Sequence, residues 1–138
     1  MSSLNDWNTA IIEEFRANEG RVGGRFEGGT LLLLHHTGAR SGTERISPLA
    51  YFPDGDRKII VGSAGGGPKN PDWFYNLRAN PRATVEVGTA TLPVVATEVT
   101  GDEYTKLWER VTTAMPGFAD YQKQTTRRIP LVALQPQA

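Results

Sequence analysis

Apolar positions in this chain change period several times, and each change marks an element. Near the start Trp7, Ile11 and Phe15 recur every four residues with Glu13, Glu14 and Arg16 between them. That spacing predicts an amphipathic helix over 5–18, opened by Asn5 and closed near Gly20. A glycine-rich connector, RVGGRFEGG (21–29), leads into TLLLLHH (30–36), whose continuous apolar run reads as a buried strand. A strand's period of two sends His35 and His36 to opposite faces, so at most one of them can face a bound ligand. ERISPLAYF (44–52) and RKIIVG (57–62) flank Pro53-Asp54-Gly55-Asp56, where Asp-Gly supplies hairpin turn chemistry. Pro48 lacks an N–H and argues for an edge or a bulge in the first of these strands.

Further on, SAGGGPKN (63–70) is a loop, and Asn70-Pro71 places an N-cap and a first helical residue ahead of a short helix, PDWFYNLRA, stopped by Asn80-Pro81. RATVEVG and ATLPVVATEV pair across Gly88-Thr89 as a second hairpin. Thr100 and Glu103 form a capping box for a helix running to about Met115, where Pro116-Gly117 ends it. FADYQKQTT (118–126) has room for another helical turn or two, and RRIPLVALQP (127–136) reads as a last strand interrupted by a proline. About six strands stand against three helices, and consecutive strands are joined by tight turns. The expected fold is mainly β with flanking helices (α+β), a mostly antiparallel barrel spanning 1–138 as one domain.

Composition narrows the function. Fifteen basic and fifteen acidic side chains leave a formal net charge of zero, so no global field recruits nucleic acid or an anionic membrane. Cysteine is absent, which removes disulfides, thiolate nucleophiles and iron–sulfur clusters and fits a reducing cytosol. No segment approaches the roughly 18 apolar residues of a membrane span, and the N-terminus lacks a secretory pattern. The chain therefore reads as soluble and cytoplasmic. Fifteen glycines and nine prolines make up about a sixth of it, above the average of roughly 12%, so much of the chain is specialised loop, where function concentrates.

Several familiar motifs fail on spacing. GSAGGGPK lacks the Gly-Lys-Ser/Thr of a phosphate-cradling P-loop, its glycines do not fit a dinucleotide fingerprint, and Val61 occupies the first glycine position of a nucleophile elbow around Ser63. Adjacent histidines on one strand cannot chelate one metal, and no acidic or thiol cluster completes a site, so no metal is expected. What remains is local. Gly38, Ser41 and Gly42 surround Arg40, with Arg45 just beyond, so backbone N–H groups and guanidiniums converge on one anion. Ser63 and Gly65-Gly66 allow close backbone approach to a flat ligand. Trp73 and Asn76 follow on the short helix, where Trp73 fits a core position equally well.

Taken together, GGTLLLLHHTGARSGTERISPLAY, VGSAGGGPKNPDWFYNLRANPRATVEVG and YQKQTTRRIPLVAL resemble the deazaflavin (coenzyme F420)-dependent nitroreductase family over nearly the whole chain. The resemblance implies a split β-barrel like that of flavin-binding oxidoreductases, with coenzyme F420, an 8-hydroxy-5-deazaflavin, in a groove across the barrel. It also implies that Arg40, Ser41 and Arg45, with Pro48 beside them, hold the coenzyme's anionic tail. Its ring is expected against Ser63, Ala64, Gly65, Gly66, Trp73 and Asn76. The turn reads Gly-Ala-Arg-Ser-Gly where Gly-Arg-Lys-Ser-Gly is usual, and the loop Ser-Ala-Gly-Gly where Ser-Lys-Gly-Gly is usual. Two basic groups are thus missing, and Lys69 and Arg78 are the candidates to replace them.

The activity implied is hydride transfer from reduced F420 to a small acceptor: a quinone, a nitroaromatic or an activated C=C bond. A neutral hydroxyl is the candidate proton donor, Tyr121 first, matching a family tyrosine, and Ser63 second; Tyr51 and Tyr75 read as packing residues. The alternatives are a non-catalytic F420-binding or storage module and an FMN-dependent enzyme on the same barrel. Expected partners are the small-molecule acceptor, with no nucleic acid and no membrane span, and a homodimer is left open.

Overall fold

Four consecutive leucines set the frame of the molecule. In the computed structural model, which describes residues 3–18, 31–63 and 69–137, strand β1 (Leu31–Thr37) buries all four. It pairs antiparallel with β2 (Glu44–Asp54) on one side and β4 (Arg82–Val87) on the other. β3 (Arg57–Val61), β5 (Ala90–Glu98) and β6 (Leu131–Pro136) complete a closed barrel in the order β1-β2-β3-β6-β5-β4, every neighbour antiparallel. The hairpins close where the sequence places them, at Gly55 (φ 62°) and Gly88 (φ 58°). Both take the left-handed conformation that glycine adopts without steric cost.

The period of two sorts β1 into two faces. Leu32 and Leu34 join Ile60, Val85, Val94, Val132 and Leu134 in the inner cluster, onto which helix α2 (Asp72–Ala79) packs Trp73, Phe74 and Leu77. Leu31 and Leu33 face outward under Phe15 of helix α1 (Ser3–Ala17), with Ile11, Ile12 and Ile46 beside them. The Ile11–Phe15 stripe thus docks as its spacing predicts, while the side chain of Trp7 lies outside the described residues. Helix α3 (Gly101–Ala114) covers the opposite outer face with Tyr104, Leu107 and Val111 against Ile59, Val61, Leu131 and Ala133. Helix α4 (Gly117–Lys123) follows it directly, so the segment read as a turn or two is a fourth helix. Among the described residues no helix is long and apolar enough to cross a membrane.

Three details depart from expectation, and in two of them a distant arginine takes the side chain that local pattern assigned to a helix cap. Residues 127–130 leave the sheet, and β6 begins only at Leu131. The α3 capping box does not close: Thr100 makes no side-chain cap bond, and Glu103 reaches Arg57 at 3.3 Å instead. Asn70 does not cap α2, whose N-cap is Pro71, because its Oδ1 accepts from Arg127. Pro48 meets the edge expectation: it sits opposite Leu33 in an unbroken register, not in a bulge, and, among the described residues, 44–50 pair with β1 alone, since β3 pairs only from Tyr51. Its missing N–H thus falls in a stretch with one partner strand.

Candidate functional site

Thr37 and Glu44 stand opposite each other where β1 passes into β2, and residues 38–43 form the turn between them. Gly38 N–H donates to the Thr43 carbonyl and Gly42 N–H to the Gly38 carbonyl, both at 2.9 Å. Gly42 has φ +69°, and a Cβ on Gly38 would lie 2.4 Å from Ser41 Oγ. Both positions therefore favour glycine, Gly42 for its conformation and Gly38 because a side chain there would displace the Ser41 hydroxyl. Ser41 Oγ accepts from Thr43 N–H at 3.2 Å, which folds the turn back on itself and leaves Arg40 exposed at its tip. Arg45 stands opposite His36 in the register, on the same face of the sheet. Among the described residues neither arginine takes part in an ion pair, in contrast to Arg16, Arg57, Arg78 and Arg110.

The turn is tied to α2 through one amide. Asn76, 7% exposed, accepts the Ala39 N–H at Oδ1 (2.9 Å) and presents Nδ2 to His36 Nδ1 at 3.0 Å. His36 Nε2 in turn faces Ser47 Oγ at 2.9 Å. Because Asn76 donates to Nδ1, His36 is neutral with its proton on Nε2, donating to Ser47. Burial, joined by the charge of Arg45, pushes its pKa down to about 4. Gly38, Ala39, Arg40, Ser41, Arg45, Asp72, Tyr75 and Asn76 enclose a cavity of ≈ 410 Å³, within the range of small-molecule and cofactor sites.

The structure gathers Arg40, Ser41, Arg45 and Asn76 around this cavity and places Trp73, Pro48, Ser63 and Tyr121 elsewhere. Trp73 is in the inner cluster, 6% exposed, anchoring α2 rather than lining the cavity. Pro48 shares the outward face with Leu33. Ser63 is buried just past β3, while Ala64, Gly65 and Gly66 lie outside the described residues. Tyr121, on α4, is half-buried against the α3 cluster with its ring 6.1 Å from that of Phe118. Tyr75 is a correction: at 44% exposure it lines the cavity instead of packing in the core. Arg78 stacks on Phe74 at 4.6 Å and reaches Glu98 at 3.4 Å, on a different side of α2 from the cavity. Lys69 is exposed.

Known proteins resemble this chain in sequence and in fold. Residues 7–136 match the family described as F420H(2)-dependent quinone reductase. The chain belongs to this family. An F420H(2)-dependent quinone reductase of Mycobacterium tuberculosis (strain ATCC 25618 / H37Rv) is 40% identical over 124 residues, covering 87% of this chain and 83% of that protein. A solved F420-H2-dependent reductase (FDR-A) superposes with a TM-score of 0.70 at 36% identity, over 77% of this chain and 94% of its own. A second solved structure, described as a domain-swapped dimer, superposes with a TM-score of 0.72 at 35% identity, over 96% of this chain and 100% of its own. The barrel of this quinone reductase family member is thus the split β-barrel that its sequence implied.

Three contacts in this family member had no local sequence signal. Arg127 donates to the carbonyls of Gly62 and Ser63 and to Asn70 Oδ1, at 3.1, 2.8 and 2.6 Å. His36 meets Asn76 across 40 residues of chain. On the outer face His35 lies between Glu44 and Glu86, at 2.9 and 2.6 Å, and Arg16 of α1 also meets Glu86 at 2.7 Å. Both ring nitrogens of His35 face carboxylates, so both must donate and the ring is an imidazolium. Burial works against that charge, but the hydrogen bonds and charges of Glu86 and Glu44 outweigh it and raise its pKa.

Proposed function

We propose that this chain is an oxidoreductase that passes a hydride from reduced coenzyme F420 to a quinone. The observation that carries the reading is the cavity beside the 38–43 turn, where two guanidiniums that form no ion pair among the described residues and a folded-back glycine turn meet α2 in a family whose members are described as F420H(2)-dependent. The residues suit an anionic coenzyme. Arg40 and Arg45 supply charge, Ser41 a hydroxyl, and the absence of a Cβ at Gly38 leaves room for the turn to close. Asp72 and Tyr75 also line the cavity, one with a carboxylate that disfavours an anion beside it and one with a hydroxyl.

When bound, the deazaflavin supplies two electrons together as a hydride rather than singly. The chain's own part is to orient and to shield. In this reading Arg40, Ser41 and Arg45 hold the tail, with Pro48 stiffening the strand that carries Arg45. Ser63, Ala64, Gly65 and Gly66 give the ring a close backbone surface, and Asn76 keeps the turn at a set distance from α2, which Trp73 anchors. Tyr121, or Ser63 in its place, donates the proton that the reduced acceptor takes up. Nitroaromatics and activated C=C bonds are further acceptors of the same chemistry. A homodimer belongs to the same reading, since a relative matched over nearly the whole chain is a domain-swapped dimer.

Absorbance titrations with F420, FMN and FAD, followed by menadione turnover with the reduced coenzyme, test this. Saturable binding of F420 with menadione reduction is expected. Binding of FMN but not F420 makes the chain a flavin enzyme, and F420 binding without turnover makes it a storage module.

A further inference from the structure

The inference concerns Arg127 and rests on the reading of the site just given. The hydrogen bonds of its half-buried guanidinium span both described ends of the glycine-rich loop: Gly62 and Ser63 on one side, Asn70 on the other. The backbone that carries Arg127 is held in turn. Gln122 of α4 donates through Nε2 to the Arg127 carbonyl at 2.7 Å and accepts the Ile129 N–H at Oε1 at 3.0 Å. Gly62 N–H donates to the Pro130 carbonyl at 2.9 Å, and a Cβ on Gly62 would lie 2.7 Å from Pro130 Cγ. One short stretch, 127–130, thus grips the Gly62–Ser63 corner by its N–H, by two carbonyls and by close backbone approach.

We propose that Arg127 is a positioning residue for hydride transfer. It fixes the Ser63 corner and Asn70 at the head of α2, and through Gln122 it joins them to the helix that carries Tyr121. The Ser63 corner and the acceptor-side helix then keep one separation. Arginine suits the task because a planar fork directs several bonds to fixed points at once, whereas a lysine ammonium is a single compact charge on a flexible stem. The separation matters because hydride transfer needs reacting atoms about 3–3.5 Å apart, and misplacement by about 1 Å costs on the order of 100-fold.

Two measurements on the whole chain test this. In the coenzyme-free protein, amide hydrogen exchange in Arg127→Lys should quicken around 61–63 and 69–73 and stay at wild-type rates over 82–98; unchanged exchange at the loop ends overturns the proposal. In turnover of menadione with saturating reduced F420, Arg127→Lys should lower kcat on the order of 10- to 100-fold, with a far smaller change in coenzyme affinity and an intact thermal transition. In Arg127→Gly, added methylguanidinium should restore part of the lost kcat. Wild-type kcat in Arg127→Lys, or a folded Arg127→Gly that methylguanidinium does not rescue, overturns it as well. Failure of the wild type to reduce menadione instead sinks the quinone reductase reading, and with it the hydride-transfer role, while the exchange measurement still decides whether Arg127 holds the loop ends.

Discussion

Asn76 has one orientation open to it. Its carbonyl oxygen is occupied by the Ala39 N–H, so its NH₂ must face His36, and the protonation of a buried histidine follows from an amide 40 residues away. Asn76→Asp keeps the shape and the bond to Ala39 but turns an acceptor toward Nδ1. The His36 titration, followed by imidazole NMR, should then move up from about 4; a fixed value would mean that His36 does not sense position 76. At the cavity mouth, Arg40→Ala and Arg45→Ala should each weaken F420 binding by about 1–3 kcal/mol, as loss of a charge-assisted hydrogen bond does. The loss should shrink at high salt. Unchanged dissociation constants in both would move the tail site elsewhere. The basic turn was readable because Arg40, Ser41 and Arg45 lie within six residues of sequence. Arg127 was not, since its partners Gly62 and Ser63 are 65 and 64 residues away, and such a contact leaves no local pattern.

β1 carries adjacent histidines on opposite faces, and their environments push them in opposite directions. His35, raised by Glu86 and Glu44, binds its proton more tightly folded than unfolded. Its contribution to stability is complete below the unfolded value of about 6.5 and is lost as pH rises through the folded one. His36 behaves in reverse. Lowered to about 4 by burial, it leaves stability intact above about 6.5 and erodes it as pH falls toward 4, where the unfolded chain takes up a proton that the folded one refuses. Urea unfolding between pH 4.5 and 9 should therefore show a maximum close to neutrality, with His35→Gln flattening the alkaline limb and leaving the acid limb. An alkaline limb unchanged in His35→Gln would show that the carboxylate pair does not hold the proton. The alternation that separates these faces was plain in the sequence, as were both hairpins. Asn70 and Glu103 were misread because Arg127 and Arg57, distant in the chain, claim the side chains that local capping rules assign to the nearest helix.

Across the whole molecule, the arginine turn and α4 reach the proposed reaction from different parts of the barrel, so binding and proton delivery should separate on mutation. Tyr121 packs beside Phe118 against the α3 cluster, and Phe in its place preserves that packing. If Tyr121 is the donor, Tyr121→Phe should lower kcat with menadione by about 10²–10⁴-fold and leave F420 affinity level. Loss of affinity without loss of kcat would make Tyr121 a wall of the coenzyme site. Wild-type values for both would leave Ser63 or solvent as the proton source. The barrel class was foreseeable from strand count and tight turns, but the place of the last strand, inserted between β3 and β5, was not. Nothing in an antiparallel hairpin pattern says which two distant edges a later strand will join.

That insertion has a consequence for how the protein is made. β1-β2-β3 and β4-β5 emerge from the ribosome first, as a meander and a hairpin, and β6, synthesised last of the six, is the seam between them. Until Leu131–Pro136 appear, the nascent chain exposes two unpaired strand edges, each a template for another chain. Ribosome-stalled chains ending at residue 126 should therefore remain protease-sensitive and engage chaperones. Chains extended well beyond residue 138 by an inert linker should become resistant in a single step.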